Sequence, residues 1–106
     1  MLEGNIFIIP ENNSKEELFK TIIARKNIKI EQIISSGQTS PAEGWYDQEQ
    51  HEWVLLLEGE AHLEFEDRQI KKLSKGDYIL IPAHCRHKVV YTSSNPDCIW
   101  LAIFFM

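Results

Sequence analysis

The chain has 106 residues, 43% of them hydrophobic and 25% charged, with a formal net charge of -5 and a pI near 5.3. One domain of ordinary globular composition is expected at that length. The acidic balance speaks against a nucleic-acid partner, which needs a basic patch for its phosphates, and no stretch reaches the roughly 18 apolar residues of a membrane-spanning helix.

The N-terminus lacks the basic start and apolar length of a signal peptide, so a cytoplasmic protein is expected. Ile6 to Ile9 is an apolar run ended by Pro10. Ser14 with Glu17 three residues later forms a capping-box pattern. Leu18 and Ile22, with Phe19 and Ile23, follow at helical spacing, which predicts a short helix over about residues 15–24. Ile28, Ile30 and Ile33 interleave with Lys29, Glu31 and Ser35 as in a strand, and Ser36 to Pro41 reads as a loop.

From there every signal is β. Trp53 to Leu57 is a short apolar run closed by Glu58-Gly59-Glu60. Ala61 to Phe65 alternates, with Leu63 and Phe65 on one face and His62 and Glu64 on the other. Turns at Glu66 to Arg68 and at Ser74 to Asp77 flank Ile70 and Leu73, and Tyr78 to Ile81 follows. Lys88 to Thr92 and Ile99 to Phe105 complete the series, with Ser93 to Asp97 between them. Short strands separated by Gly and Asp turns predict an all-β sandwich or barrel. Cys85 and Cys98 are too few for a disulfide framework and read as reduced thiols.

Two stretches resemble the paired motifs of the cupin superfamily. Gly44, Glu52 and the run Glu52 to Gly59 match the first motif; Gly76, Pro82 and His87 match the second. The match covers residues 44–92. It implies a cupin-type β-barrel, the double-stranded β-helix or jelly-roll, with the short helix on its N-terminal side. The chain is then a single cupin domain over 1–106, with 1–35 as an N-terminal arm. The two histidines of the first motif are replaced. Counting back from Glu52 places Tyr46 and Gln48 there, or Trp45 and Asp47 if the spacing is one longer. His51 falls at the wrong offset to substitute for either, and with His62 reads as a surface residue.

If the motifs align as in the family, Gln48, Glu52 and His87 converge inside the barrel. One imidazole, one carboxylate and one amide oxygen suit a divalent transition metal, Mn²⁺, Fe²⁺, Ni²⁺ or Zn²⁺. Asp47 and His84 are candidate additional ligands. A regular strand would send His84 to the face opposite His87, and only a turn at Cys85-Arg86 would bring both to one site. Tyr46 and Arg86 are candidate substrate contacts, Arg86 for an anion at the mouth.

The expected function is a small cupin of unassigned reaction that holds one divalent metal. The alternative is a metal-free barrel that binds or senses a small polar or acidic ligand. No nucleophile with an oriented base and no glycine-rich phosphate loop can be found. The last strand is apolar on both faces, one for the barrel and one for a partner, so a homodimer is expected, as is common among cupins resembling this chain.

Overall fold

The computed structural model describes residues 1–9, 16–41 and 43–106. Eight strands run in the order β1 (Leu18–Arg25), β2 (Ile28–Ser35), β3 (His51–Glu58), β4 (Ala61–Phe65), β5 (Ile70–Leu73), β6 (Tyr78–Ile81), β7 (His87–Thr92) and β8 (Cys98–Phe105). They form a five-stranded sheet, β1-β2-β8-β3-β6, facing a three-stranded sheet, β5-β4-β7, and every pairing is antiparallel.

Alternation decides what each strand contributes. On β3, Val54 and Leu56 point inward; on β8, Cys98, Trp100, Ala102 and Phe104 do so. Ala61 and Leu63 of β4, Leu73 of β5 and Ile81 of β6 close the same cluster. Val54, Ile81, Trp100 and Phe104 among them are β-branched or aromatic, which suits the pleated, half-buried surface of a sheet. Fully burying a leucine such as Leu56, which has no exposed surface, contributes about 1.5–3 kcal/mol.

The turn between β3 and β4 depends on Gly59, whose φ is +91°. A Cβ there would lie 2.8–2.9 Å from Ser93 Oγ, Asp97 O and Cys98 Cα. The backbone thus approaches the 93–98 loop more closely than any side chain allows.

The predicted helix over 15–24 is not present. Residues 18–25 are strand β1, paired along their length with β2, and Ser14 of the capping box lies outside the described residues. Thr21, Ile22 and Ile23 are β-branched and stiff at χ1, which weakens the helix. A bulge between Thr21 and Ile23 shifts the facing pattern by one, so apolar positions fall at spacings a helix would also give. β1 and β2 are part of the larger sheet, since β2 pairs with β8 from Ile28↔Phe105 to Ser35↔Cys98. Among the described residues no helix is long and apolar enough to cross a membrane.

Candidate functional site

Glu52 occupies the inward face of β3, one alternation before Val54, and its side chain is 12% exposed. His87 opens β7 from the opposite sheet, with its side chain 6% exposed. The segment just before β3 joins the wall through backbone bonds. The Tyr46 N–H donates to His87 O at 2.7 Å and the His87 N–H donates to Tyr46 O at 3.2 Å. Two residues on, Gln48 O accepts from the His84 N–H at 2.8 Å. This short zipper carries Tyr46 and Gln48 to the barrel mouth although neither lies in a strand.

The resulting cluster is tightly connected. Gln48 Nε2 donates to Glu52 Oε1 at 2.9 Å. His87 Nε2 lies 3.5 Å from the same oxygen, and His87 Nδ1 lies 3.0 Å from Cys85 O. Both ring nitrogens therefore face acceptors, which only a doubly protonated imidazolium satisfies with two N–H groups. Burial pushes the His87 pKa down, but hydrogen bonds to Glu52 and Cys85 O and the Glu52 charge outweigh it, leaving the value above the usual 6.5. The Tyr46 ring lies 5.5 Å from the imidazole, between centroids. Its phenol is raised above 10.0 by burial and by the charges of Glu17 and Glu52, against a lowering hydrogen bond from Ser40.

These groups line a cavity of about 340 Å³ inside the barrel. Its walls are largely apolar, from Ile33, Val54, Leu63, Ile81, Val89 and Trp100. An apolar chamber with a few convergent polar groups is the usual form of a small-molecule site.

Three charged residues of the cavity are absent from the sequence-based set: Glu17, Lys29 and Glu31. Lys29 and Glu31 lie on β2 with Ile33 and Ser35, and Lys29 Nζ is 3.5 Å from Glu31 Oε2. The signal was the alternation of β2 itself. Its polar face resembles a solvent face but lines the chamber, and its isoleucine face, Ile28, Ile30 and Ile34, points away.

Four of the seven candidate residues, Tyr46, Gln48, Glu52 and His87, line the cavity; Asp47, His84 and Arg86 do not. His84 Nδ1 and Asp47 Oδ1 lie 2.8 Å apart, with side chains 66% and 48% exposed. A turn does form here, as Cys85 N–H donates to Pro82 O and His84 takes φ +62°. It turns His84 outward instead of bringing it to His87. Arg86 pairs with Glu66 at 3.3 Å and lies 6.0 Å from the Trp45 ring. His51 is not a plain surface residue: its Nδ1 accepts from the Ala83 N–H at 3.0 Å and anchors the same turn.

Among the described residues no group of three or more His, Cys, Asp and Glu side chains could hold a metal ion. His87 and Glu52 supply two donors, already directed at each other, and Gln48 presents its N–H₂ side to Glu52. A transition-metal site with an open position takes three protein ligands. Two such donors, with the Gln48 amide nitrogen turned toward Glu52, fall short of that set. What the pair can do is hold a proton at His87 Nε2 and exchange it with a bound molecule.

The family model for the cupin domain matches residues 31–104. A solved structure from Ralstonia eutropha, provisionally named a mannose-6-phosphate isomerase, is 40% identical, covers 97% of this chain and 96% of its own, and superposes with a TM-score of 0.91. An RmlC-like cupin from Desulfovibrio desulfuricans has a TM-score of 0.78 at 18% identity, over 99% of this chain and 96% of its own. A cupin superfamily protein from Desulfitobacterium hafniense has 0.77 at 19%, over 92% and 84%. No curated protein matches the chain.

Proposed function

The chain belongs to the cupin family, and from that premise we propose that its barrel binds one small polar organic molecule beside His87 and Glu52. The observation that carries this reading is a chamber of about 340 Å³ whose most deeply buried charged pair faces into it. A buried imidazole and carboxylate are costly to desolvate. A ligand that completes their hydrogen bonds gives that cost a use.

The name of the Ralstonia relative suggests a hexose phosphate as one occupant to test. Arg86, the anion contact expected from sequence, is engaged by Glu66 outside the chamber. The polar branch of the ligand expectation is therefore favoured over the acidic one. Gln48, Glu52, His87 and Tyr46 are the proposed contacts.

The test follows the Trp100 indole N–H and the His87 ring by NMR while sugars, mannose 6-phosphate, polyols, amines and small acids are added. Saturable shifts are expected for at least one class. In His87→Ala and Glu52→Gln the affinity should fall about tenfold or more, the scale of one charge-assisted hydrogen bond. No saturable shift, or shifts indifferent to both substitutions, would overturn the reading.

Metal binding is the second reading. Cys85 O holds Nδ1 of His87, which leaves Nε2 as the ligating atom, as in many metal sites. Elemental analysis of protein purified without chelator or tag, after exposure to Mn²⁺, Fe²⁺, Ni²⁺ and Zn²⁺, separates the two. With two donors the expected result is substoichiometric metal lost on dialysis. Near-stoichiometric metal that disappears in His87→Ala would replace the first reading with this one.

A further inference from the structure

We infer that the occupant of the chamber carries a positively charged amine, held by Glu17 against the aromatic wall. This inference rests on the ligand-binding reading above and adds the chemical class of the ligand.

The charges that line the chamber do not cancel. Three carboxylates face it, from Glu17, Glu31 and Glu52, against two cationic groups, Lys29 and His87. Each cation is already committed: Lys29 to Glu31 at 3.5 Å and His87 to Glu52 at 3.5 Å. Glu17 is left over. Its Oε2 accepts the Ser35 hydroxyl at 2.6 Å, and Ser35 Oγ in turn accepts from the Trp100 indole at 3.3 Å. Among the described residues no ion pair includes Glu17. A chain of neutral donors from the core thus holds this carboxylate in place without neutralising it.

The aromatic walls add a second, independent feature. Phe19, Tyr46, Trp100 and Phe104 all line the chamber. Ring faces attract cations, and more strongly where water is excluded. Phe104 already does so, with Lys29 Nζ 4.7 Å from its centroid. The chamber therefore stabilises one ammonium, its own, beside a carboxylate and a ring. Glu17 with the neighbouring aromatic residues repeats that combination without the amine. The same field reaches Tyr46, whose phenol is held protonated by burial and by the Glu17 and Glu52 charges.

An anionic ligand meets the opposite situation. Both cations that could receive it are paired, and it would add a charge beside an unneutralised carboxylate. A phosphate ester is the class least suited to this chamber.

The experiment uses three probes of one shape, n-butylammonium, 1-butanol and butyrate, titrated at pH 7 into the whole protein. The Trp100 indole N–H and cavity methyl resonances report binding. Butylammonium is expected to bind about tenfold tighter than butanol, and butyrate weaker than either. In Glu17→Gln, which retains an acceptor for Ser35, the preference for the amine should vanish while butanol binds as before. An unchanged Trp100 indole resonance in the free variant shows that the fold is kept. Equal binding of amine and alcohol, tighter binding of butyrate, or an amine preference that survives Glu17→Gln would overturn the inference and leave the ligand-binding reading standing. No shift of any cavity resonance by any probe would overturn both.

Discussion

His87 and Glu52 give the residue scale its sharpest consequence, because their pairing depends on a proton. The folded protein holds the His87 imidazolium above its usual pKa of 6.5 despite burial, through Glu52 and Cys85 O. A histidine raised on folding contributes stability that is complete below the unfolded value and is lost as pH rises through the folded value. Wild type should therefore gain over His87→Gln on going from pH 8.5 to pH 6. Thermal denaturation of both proteins at several pH values measures this, since other titrating groups cancel in the difference. A gap that is flat, or that widens toward alkaline pH, would contradict the imidazolium–carboxylate pair. This residue was legible from the second motif alone. Its Nδ1 partner was not, because a carbonyl two residues earlier becomes an acceptor only when the chain turns at Pro82 to Cys85.

Turns and edges matter most at the scale of elements. Gly59 and Gly76 share a φ of +91°, yet their surroundings differ. A methyl at Gly59 would strike backbone atoms of Asp97 and Cys98 at 2.9 Å, whereas at Gly76 nothing lies within 4 Å. Gly59→Ala is expected to cost about 2–4 kcal/mol, the sum of left-handed strain and displacement of the 93–98 loop. Gly76→Ala should cost about 1 kcal/mol, from strain alone. Urea denaturation would rank the two, and equal midpoints would show that the close approach carries no energy. The same scale explains β1. Local spacing predicted a helix there, but β2 offers a continuous edge for pairing, and tertiary pairing overrides a weak helical preference.

The whole molecule presents one broad feature that no element explains alone. In the five-stranded sheet, the residues opposite the core are themselves apolar: Trp53 and Leu55 on β3, Tyr78 and Leu80 on β6, and Leu101, Ile103 and Phe105 on β8. Tyr78 is 66% exposed and Leu80 53%. A patch of this kind on an isolated domain marks an interaction surface. We propose that a second copy of the chain covers it, which is the homodimer expected from the last strand. Light scattering at micromolar concentration should give about twice 12.4 kDa, and Leu80→Glu should return the monomer mass. A wild-type monomer would refute the dimer without touching the cavity.

Most of the architecture was already determined by the sequence: seven of the strands, their turns at Gly59 and Gly76, and the two motifs that mark a cupin barrel. Strand alternation and turn chemistry are local properties, so they can be read one residue after another. The contents of the chamber were decided only by the tertiary structure. Alternation shows that β2 has a polar face and an isoleucine face, but not which one the closed barrel encloses. For the same reason Glu17, Lys29 and Glu31 meet His87 and Glu52 only after β2 has paired with β8 and the two sheets have come together. His84 and Asp47, close in sequence to the true lining residues, pair with each other outside the chamber, Asp47 between Tyr46 and Gln48 and His84 in the turn that precedes β7.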